Sequence, residues 1–82
     1  MIIPVSVPQL GEGLRQALVL RIFKHEGARV ERDELLVELE TDKATMAIES
    51  PSGGVVGRWN VKTGEIVPIG ATMTSILTEQ PA

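Results

Sequence analysis

Eighty-two residues allow one domain with a single core and leave no room for a second. Eleven acidic residues against eight basic ones give a formal charge of -3, and Phe23 and Trp59 are the only aromatics, which argues against both an electrostatic footprint on nucleic acid and stacking platforms for bases. The absence of cysteine excludes disulfides, thiolate metal sites and cysteine nucleophiles, and the single His25 cannot build a histidine-rich metal site.

An apparent strand stands directly after Met1, so no signal or transit segment is read, and no apolar run approaches the roughly 18 residues of a membrane span. The expectation is a protein that works away from membranes, in the bacterial cytoplasm or in the mitochondrial matrix after removal of a targeting segment. "PQLGEGL" follows at residues 8–14. Its "GEGL" is no phosphate-binding GxGxxG, because no strand-to-helix unit surrounds it. His25, in "KHEG", belongs to no evident catalytic arrangement of serine and carboxylate partners and reads as a solvated turn residue.

Between residues 29 and 47, "RVERDELLVELETDKATMA" is rich enough in Glu, Leu, Ala, Lys and Arg to suggest a long helix by propensity alone. An internal echo argues otherwise. At an offset of 37, Val19 meets Val56, Arg21 meets Arg58, Ile22 meets Trp59, Gly27 meets Gly64, Val30 meets Val67, Leu36 meets Met73 and Leu39 meets Ile76. The second copy is β-branched and broken by Gly64, Pro68 and Gly70, so both copies are read as strand-rich and the domain as all-β. Earlier residues echo at an offset of 43 instead: Ile3 with Met46, Val5 with Ile48, Pro8 with Pro51 and Gly11 with Gly54. The change of offset places six extra residues between Gly11 and Val19, a longer loop around "EGLRQAL". Both offsets carry Lys43 to the two chain ends, so a quasi-two-fold axis sets the Lys43 turn opposite both termini.

With Asp42 and Lys43 as the two central residues of a hairpin, Leu39 faces Met46 and Val37 faces Ile48 on one side, while Glu40 faces Thr45 and Glu38 faces Ala47 on the other. One face is apolar and the other polar, so Met46 and Ile48 are assigned to the core. Two-residue hairpins favour Asn-Gly or Asp-Gly, which supply positive φ. Lys at the second position instead argues for a type I geometry, and a local choice made against turn preference marks a functional position. Farther on, "ESPSGG" at 49–54 reads as the turn between halves, Trp59 as a largely buried ring with its N–H wet or bonded, and "TEQPA" as the start of a linker.

With "PQLGEGL" near the start, "ETDKA" at the turn, and Gly27 and Gly54 standing 16 residues before and 11 after Lys43, the chain resembles a lipoyl domain of the biotinyl/lipoyl-like family. The resemblance implies a flattened barrel of two four-stranded antiparallel sheets with quasi-two-fold symmetry over residues 1–78, with 79–82 beginning an interdomain linker. It implies lipoic acid in amide linkage on Lys43, flanked by Asp42 and Ala44 in the turn and attached by a lipoate ligase or octanoyltransferase. The partners implied are a thiamine-diphosphate-dependent 2-oxo acid decarboxylase, which acylates the arm reductively, an acyltransferase core that passes the acyl group to coenzyme A, and a dihydrolipoamide dehydrogenase. Glu12, Gly13 and Leu14, in the loop reaching to Gln16, together with Glu40 are expected to contribute to partner recognition. The isolated domain would not itself be an enzyme, whereas a full-length chain would be a dihydrolipoamide acyltransferase, and "ETDKAT" leans slightly toward pyruvate as the substrate. Attachment would take the formal charge from -3 to -4 and leave an acidic tip of Glu38, Glu40 and Asp42, which either steers basic partner surfaces or is a solvated strand face.

Three other readings compete. Biotin carriers of the same fold set methionines directly beside the lysine, where this chain has Asp42 and Ala44. A glycine-cleavage carrier would be longer and differ around its lysine. An unmodified β interaction module, or an enzyme in its own right, forms the last alternative, but the chain offers no convergent nucleophile and base.

Overall fold

The computed structural model describes residues 1–78; the segment read as a linker, 79–82, lies outside the described residues. Eight strands follow in order: β1 (Ile2–Ser6), β2 (Gln16–Ile22), β3 (Arg29–Val30), β4 (Leu35–Glu40), β5 (Thr45–Glu49), β6 (Gly54–Val56), β7 (Ile66–Pro68) and β8 (Thr72–Leu77). They form two four-stranded antiparallel sheets, ordered β1-β8-β6-β3 and β5-β4-β2-β7. The helix-like composition of residues 29–47 loses to tertiary burial: Val30, Leu36, Val37 and Leu39 need a core that a strand pair delivers and a lone helix would not.

A shift of 37 residues turns β2, β3 and β4 into β6, β7 and β8, and one of 43 turns β1 into β5, so each sheet maps onto the other. The connecting hydrogen bonds obey the same rule. Phe23 N–H donates to Leu36 O at 2.8 Å and Asn60 N–H to Met73 O at 2.7 Å; Gly27 N–H donates to Val56 O at 2.8 Å and Gly64 N–H to Val19 O at 2.7 Å. Positive φ recurs likewise, at Gly27 and Gly64 (87° and 91°) and at Asp33 and Gly70 (72° and 92°). The echo departs from the backbone at one pair. In register Gly54 faces Val30 as Ala17 faces Val67, so Ala17 rather than Gly11 is the counterpart of Gly54, and the additional residues precede Ala17.

Inward side chains of both sheets make one aliphatic core, with Val19, Leu36, Leu39, Met73 and Ile76 fully buried. Leu36 and Val37 are both buried, against strict alternation, because the β4–β5 register shifts between Leu35 and Val37. Met46 departs from its assignment to the core: it faces Leu39 as expected but is 43% exposed. Its strand is an edge strand with β4 on one side only, so nothing covers it from the other. Ile48, deeper along the same strand, does pack against the core.

Trp59 is partly buried and its Nε1–H donates to Lys24 O at 2.8 Å, across the two halves. Trp59→Phe keeps most of the ring but orphans that carbonyl, and we expect a loss of about 1–2 kcal/mol in urea unfolding with an unchanged slope. Glu34 is held below the usual carboxylate range, first by the Glu31 backbone N–H, which donates to its Oε1 at 2.7 Å, and then by Lys24, whose Nζ lies 2.9 Å from Oε2. A carboxylate lowered on folding stabilises above its unfolded pKa, and that contribution disappears as pH falls through the folded value. The thermal midpoint of wild type should therefore exceed that of Glu34→Gln at pH 7, with the gap closing below the ordinary carboxylate range; a constant gap down to pH 3 would contradict the assignment.

Candidate functional site

Lys43 sits at the tip of the β4–β5 hairpin, where Glu40 pairs with Thr45 and Thr41 N–H donates to Ala44 O at 2.9 Å. Neither Asp42 nor Lys43 has positive φ, which excludes the I′ and II′ turns that two-residue hairpins prefer. A side chain stabilises the turn instead. Thr41 Oγ1 accepts from Lys43 N–H and Ala44 N–H, each at 3.3 Å, and donates to Ala44 O at 3.2 Å. A hydroxyl thereby substitutes for the backbone carbonyl that would close an ordinary β-turn. Thr41 was not among the residues singled out from sequence, although a Thr at the first position of a glycine-free turn is the signal that points to it.

The quasi-two-fold relation reaches the tip itself. Thr78, the counterpart of Thr41, donates through its N–H to Met1 O at 2.9 Å and through Oγ1 at 3.4 Å, as Thr41 does to Ala44. The axis exchanges the lysine hairpin with the meeting point of the described chain ends. Ladder registers put the two at opposite ends of the barrel: Leu18 pairs with Glu40 and Gln16 with Pro68, and Gly70, just beyond Pro68, bonds Val7, which lies past the end of β1 remote from Met1.

The extra residues before Ala17 break this symmetry, and they do so at the lysine end. The loop folds over a turn closed by Leu14 N–H to Gly11 O at 3.2 Å, and Gln9 Nε2 bonds Gly11 O at 2.6 Å and Leu14 O at 3.4 Å. Gln9 is a second structural residue not read from sequence. Gly13 and Leu14 wall a groove with Glu40 and Asp42, floored by Leu18 and Ile66 from the outer face of the sheet. The structure thus brings Gly13, Leu14 and Glu40 together beside the turn, whereas Glu12 is exposed on the same loop but does not line the groove. Arg15 faces the groove with Glu40 and Asp42 and forms no ion pair with either, so the acidic tip is less uniformly negative than its sequence suggests.

A covalently carried group fits this tip. Lys43, Asp42 and Ala44 are all exposed, the lysine amine has no hydrogen-bond or ion-pair partner among the described residues, and its backbone N–H is already held by Thr41. Nothing must be broken to derivatise the amine.

The family model described as biotin-requiring enzyme, which covers biotin and lipoyl attachment, matches residues 3–76. The chain is 36% identical over 76 residues to the dihydrolipoyllysine-residue succinyltransferase component of the 2-oxoglutarate dehydrogenase complex of Rickettsia felis, covering 93% of this chain and 19% of that protein. It is 42% identical over 67 residues to the dihydrolipoyllysine-residue acetyltransferase component of the pyruvate dehydrogenase complex of Mycoplasma genitalium, covering 82% of this chain and 17% of that one. Among solved structures, the lipoyl domain of the 2-oxoglutarate dehydrogenase complex of Azotobacter vinelandii superposes with a TM-score of 0.81 at 28% identity, covering 95% of this chain and 99% of that chain. The chain spans about a fifth of the length of the acyltransferase relatives it matches. The lean toward pyruvate finds no support here, since relatives of the 2-oxoglutarate type predominate. The two symmetric sheets, the free lysine at the hairpin tip and these matches together establish that the chain belongs to the biotin/lipoyl family, as a lipoyl domain whose cofactor is covalently bound lipoic acid.

Proposed function

We propose that this domain is a swinging-arm carrier of a 2-oxo acid dehydrogenase complex, with lipoate in amide linkage on Lys43. The observation that carries this reading is the Lys43 amine, exposed and unpartnered at the tip of a glycine-free hairpin. When attached, lipoate supplies a cyclic disulfide that takes up an acyl group together with two electrons. The chain's own residues provide a fixed base for that arm: Thr41 closes the turn, the ladder from Glu40–Thr45 to Leu35–Glu49 anchors it, and Asp42 and Ala44 flank the attachment point. The partners that fit are a thiamine-diphosphate-dependent decarboxylase, an acyltransferase core, a dihydrolipoamide dehydrogenase, and a lipoate ligase or octanoyltransferase that installs the group. The groove walled by Gly13, Leu14 and Glu40 is the surface we assign to partner recognition, with Glu12 at its margin. On this reading residues 1–78 are a carrier within a longer acyltransferase, and the carried acyl group is succinyl or acetyl according to the complex.

The test is the intact mass of the domain expressed with lipoate and a lipoate ligase, followed by peptide mapping. A gain of one lipoyl group on Lys43 is expected. An unchanged mass, with the ligase active on a known acceptor, would overturn the reading. Labelling by streptavidin after expression with a biotin ligase would transfer the domain to the biotin carriers.

A further inference from the structure

We propose that the Thr41 hydroxyl is a positioning group for modification of Lys43, holding the Asp42–Lys43 turn in the one conformation that a modifying enzyme engages. The inference rests on the carrier reading and adds to it a residue that does not touch the reacting amine. Three contacts converge on a single oxygen: Lys43 N–H and Ala44 N–H each donate to Thr41 Oγ1 at 3.3 Å, and Oγ1 donates to Ala44 O at 3.2 Å. These bonds span both residues of the turn, one of them to the backbone of the lysine itself. Asp42 and Lys43, lacking positive φ, are denied the intrinsically favoured hairpin geometries, and a side chain supplements the backbone bond that bridges the turn. The rest of the ladder does not need this hydroxyl, because Thr41 N–H already donates to Ala44 O at 2.9 Å and Glu40 pairs with Thr45 below it. Removing the oxygen therefore frees the tip while leaving the barrel standing.

A looser tip populates the competent turn for a smaller fraction of the time, and apparent affinity falls by that fraction while the chemical step, once the turn is seated, is unchanged. The kinetic signature is a raised KM for the domain with kcat preserved. Thr41→Val removes the hydroxyl at nearly constant shape, and Thr41→Ser restores it. Thr45→Val, which removes an exposed hydroxyl three residues beyond Asp42 on the same hairpin, serves as control.

The experiment is steady-state lipoylation by a purified lipoate ligase with lipoate and ATP, each domain varied as substrate, alongside amide hydrogen exchange at Lys43 and Ala44. Thr41→Val should raise KM about fivefold or more with kcat within about twofold of wild type, as loss of hydrogen bonds of ordinary net strength implies. Exchange at both amides should quicken, while Thr41→Ser and Thr45→Val stay close to wild type. A wild-type KM in folded Thr41→Val, or a Thr41→Ser variant as impaired as Thr41→Val, would overturn the proposal. Should Thr41→Val lose strand amide protection across β4 and β5, Thr41→Ala is read by the same KM, and a value equal to wild type in the folded protein overturns it equally. Failure of wild type to be modified at all would be a different result, striking the carrier reading rather than the role of Thr41.

Discussion

Lys43→Gln and Lys43→Arg, each expressed with lipoate and an active lipoate ligase, should both emerge at unmodified mass and with the thermal midpoint of wild type. Amide formation needs an amine that can be deprotonated and acylated, which neither an amide nor a guanidinium provides. Arg keeps the charge and much of the length of Lys, so equal failure of the two variants separates the nucleophile from the charge. Stability should hold within about 0.5 kcal/mol, because the side chain has no partner among the described residues and buries nothing. The chain offers two further lysines as internal controls. Lys24 is tied to Glu34 at 2.9 Å, and Lys62 lies in the loop before β7, where Glu65 N–H donates to its carbonyl at 3.0 Å; neither stands at a hairpin tip. A Lys43→Gln domain that still gained a lipoyl group on Lys24 or Lys62 would show that the ligase does not read the hairpin, and the assignment would fall.

How much of this could be read from the chain depends on which interactions are periodic. Offsets of 37 and 43 exposed the two-fold plan because buried positions recur at matching places: Val19 with Val56, Val30 with Val67, Leu36 with Met73 and Leu39 with Ile76 are buried in both halves. The hairpin register was legible for the same reason, since a slip of one residue would have carried Glu38 and Glu40 inward. Met46 was misplaced because periodicity reports the side of a strand and not whether another strand lies beyond it. The roles of Thr41 and Gln9 were hidden for a different reason: each acts through one side-chain oxygen or amide on a nearby backbone, an aperiodic effect that pattern matching cannot carry. The groove depends on which loop of two symmetric halves was lengthened. Its location between Gly11 and Val19 was visible in the offsets, whereas its walls of Leu14, Glu40 and Asp42 required the fold.

Gly54→Ala should be the most damaging small substitution in the domain, although it adds a single methyl group. Gly54 lies in β6, inside the sheet between β8 and β3, at φ 155°. A Cβ there would collide with the carbonyl oxygen of Leu77 and stand 3.0 Å from its carbonyl carbon and 3.1 Å from Ile76 Cγ2. The first two obstacles are backbone of the neighbouring strand and cannot rotate away. Relief must come from prising β6 and β8 apart, which disturbs the ladder of Val55 with Leu77 and Val56 with Ile76 and, with it, the two fully buried side chains Val56 and Ile76. Overpacking and backbone strain each cost about 1–3 kcal/mol, so a combined loss of about 3–5 kcal/mol is expected, comparable with the whole stability of a domain this small. Gly27→Ala isolates the strain component. Its φ of 87° disfavours a side chain, yet nothing lies within 4 Å of the added methyl, so about 1 kcal/mol is expected there. Urea unfolding of the two variants against wild type checks the contrast: a Gly54→Ala midpoint no lower than that of Gly27→Ala would mean that β6 and β8 can separate cheaply, and that the close strand approach is not what selects glycine at position 54.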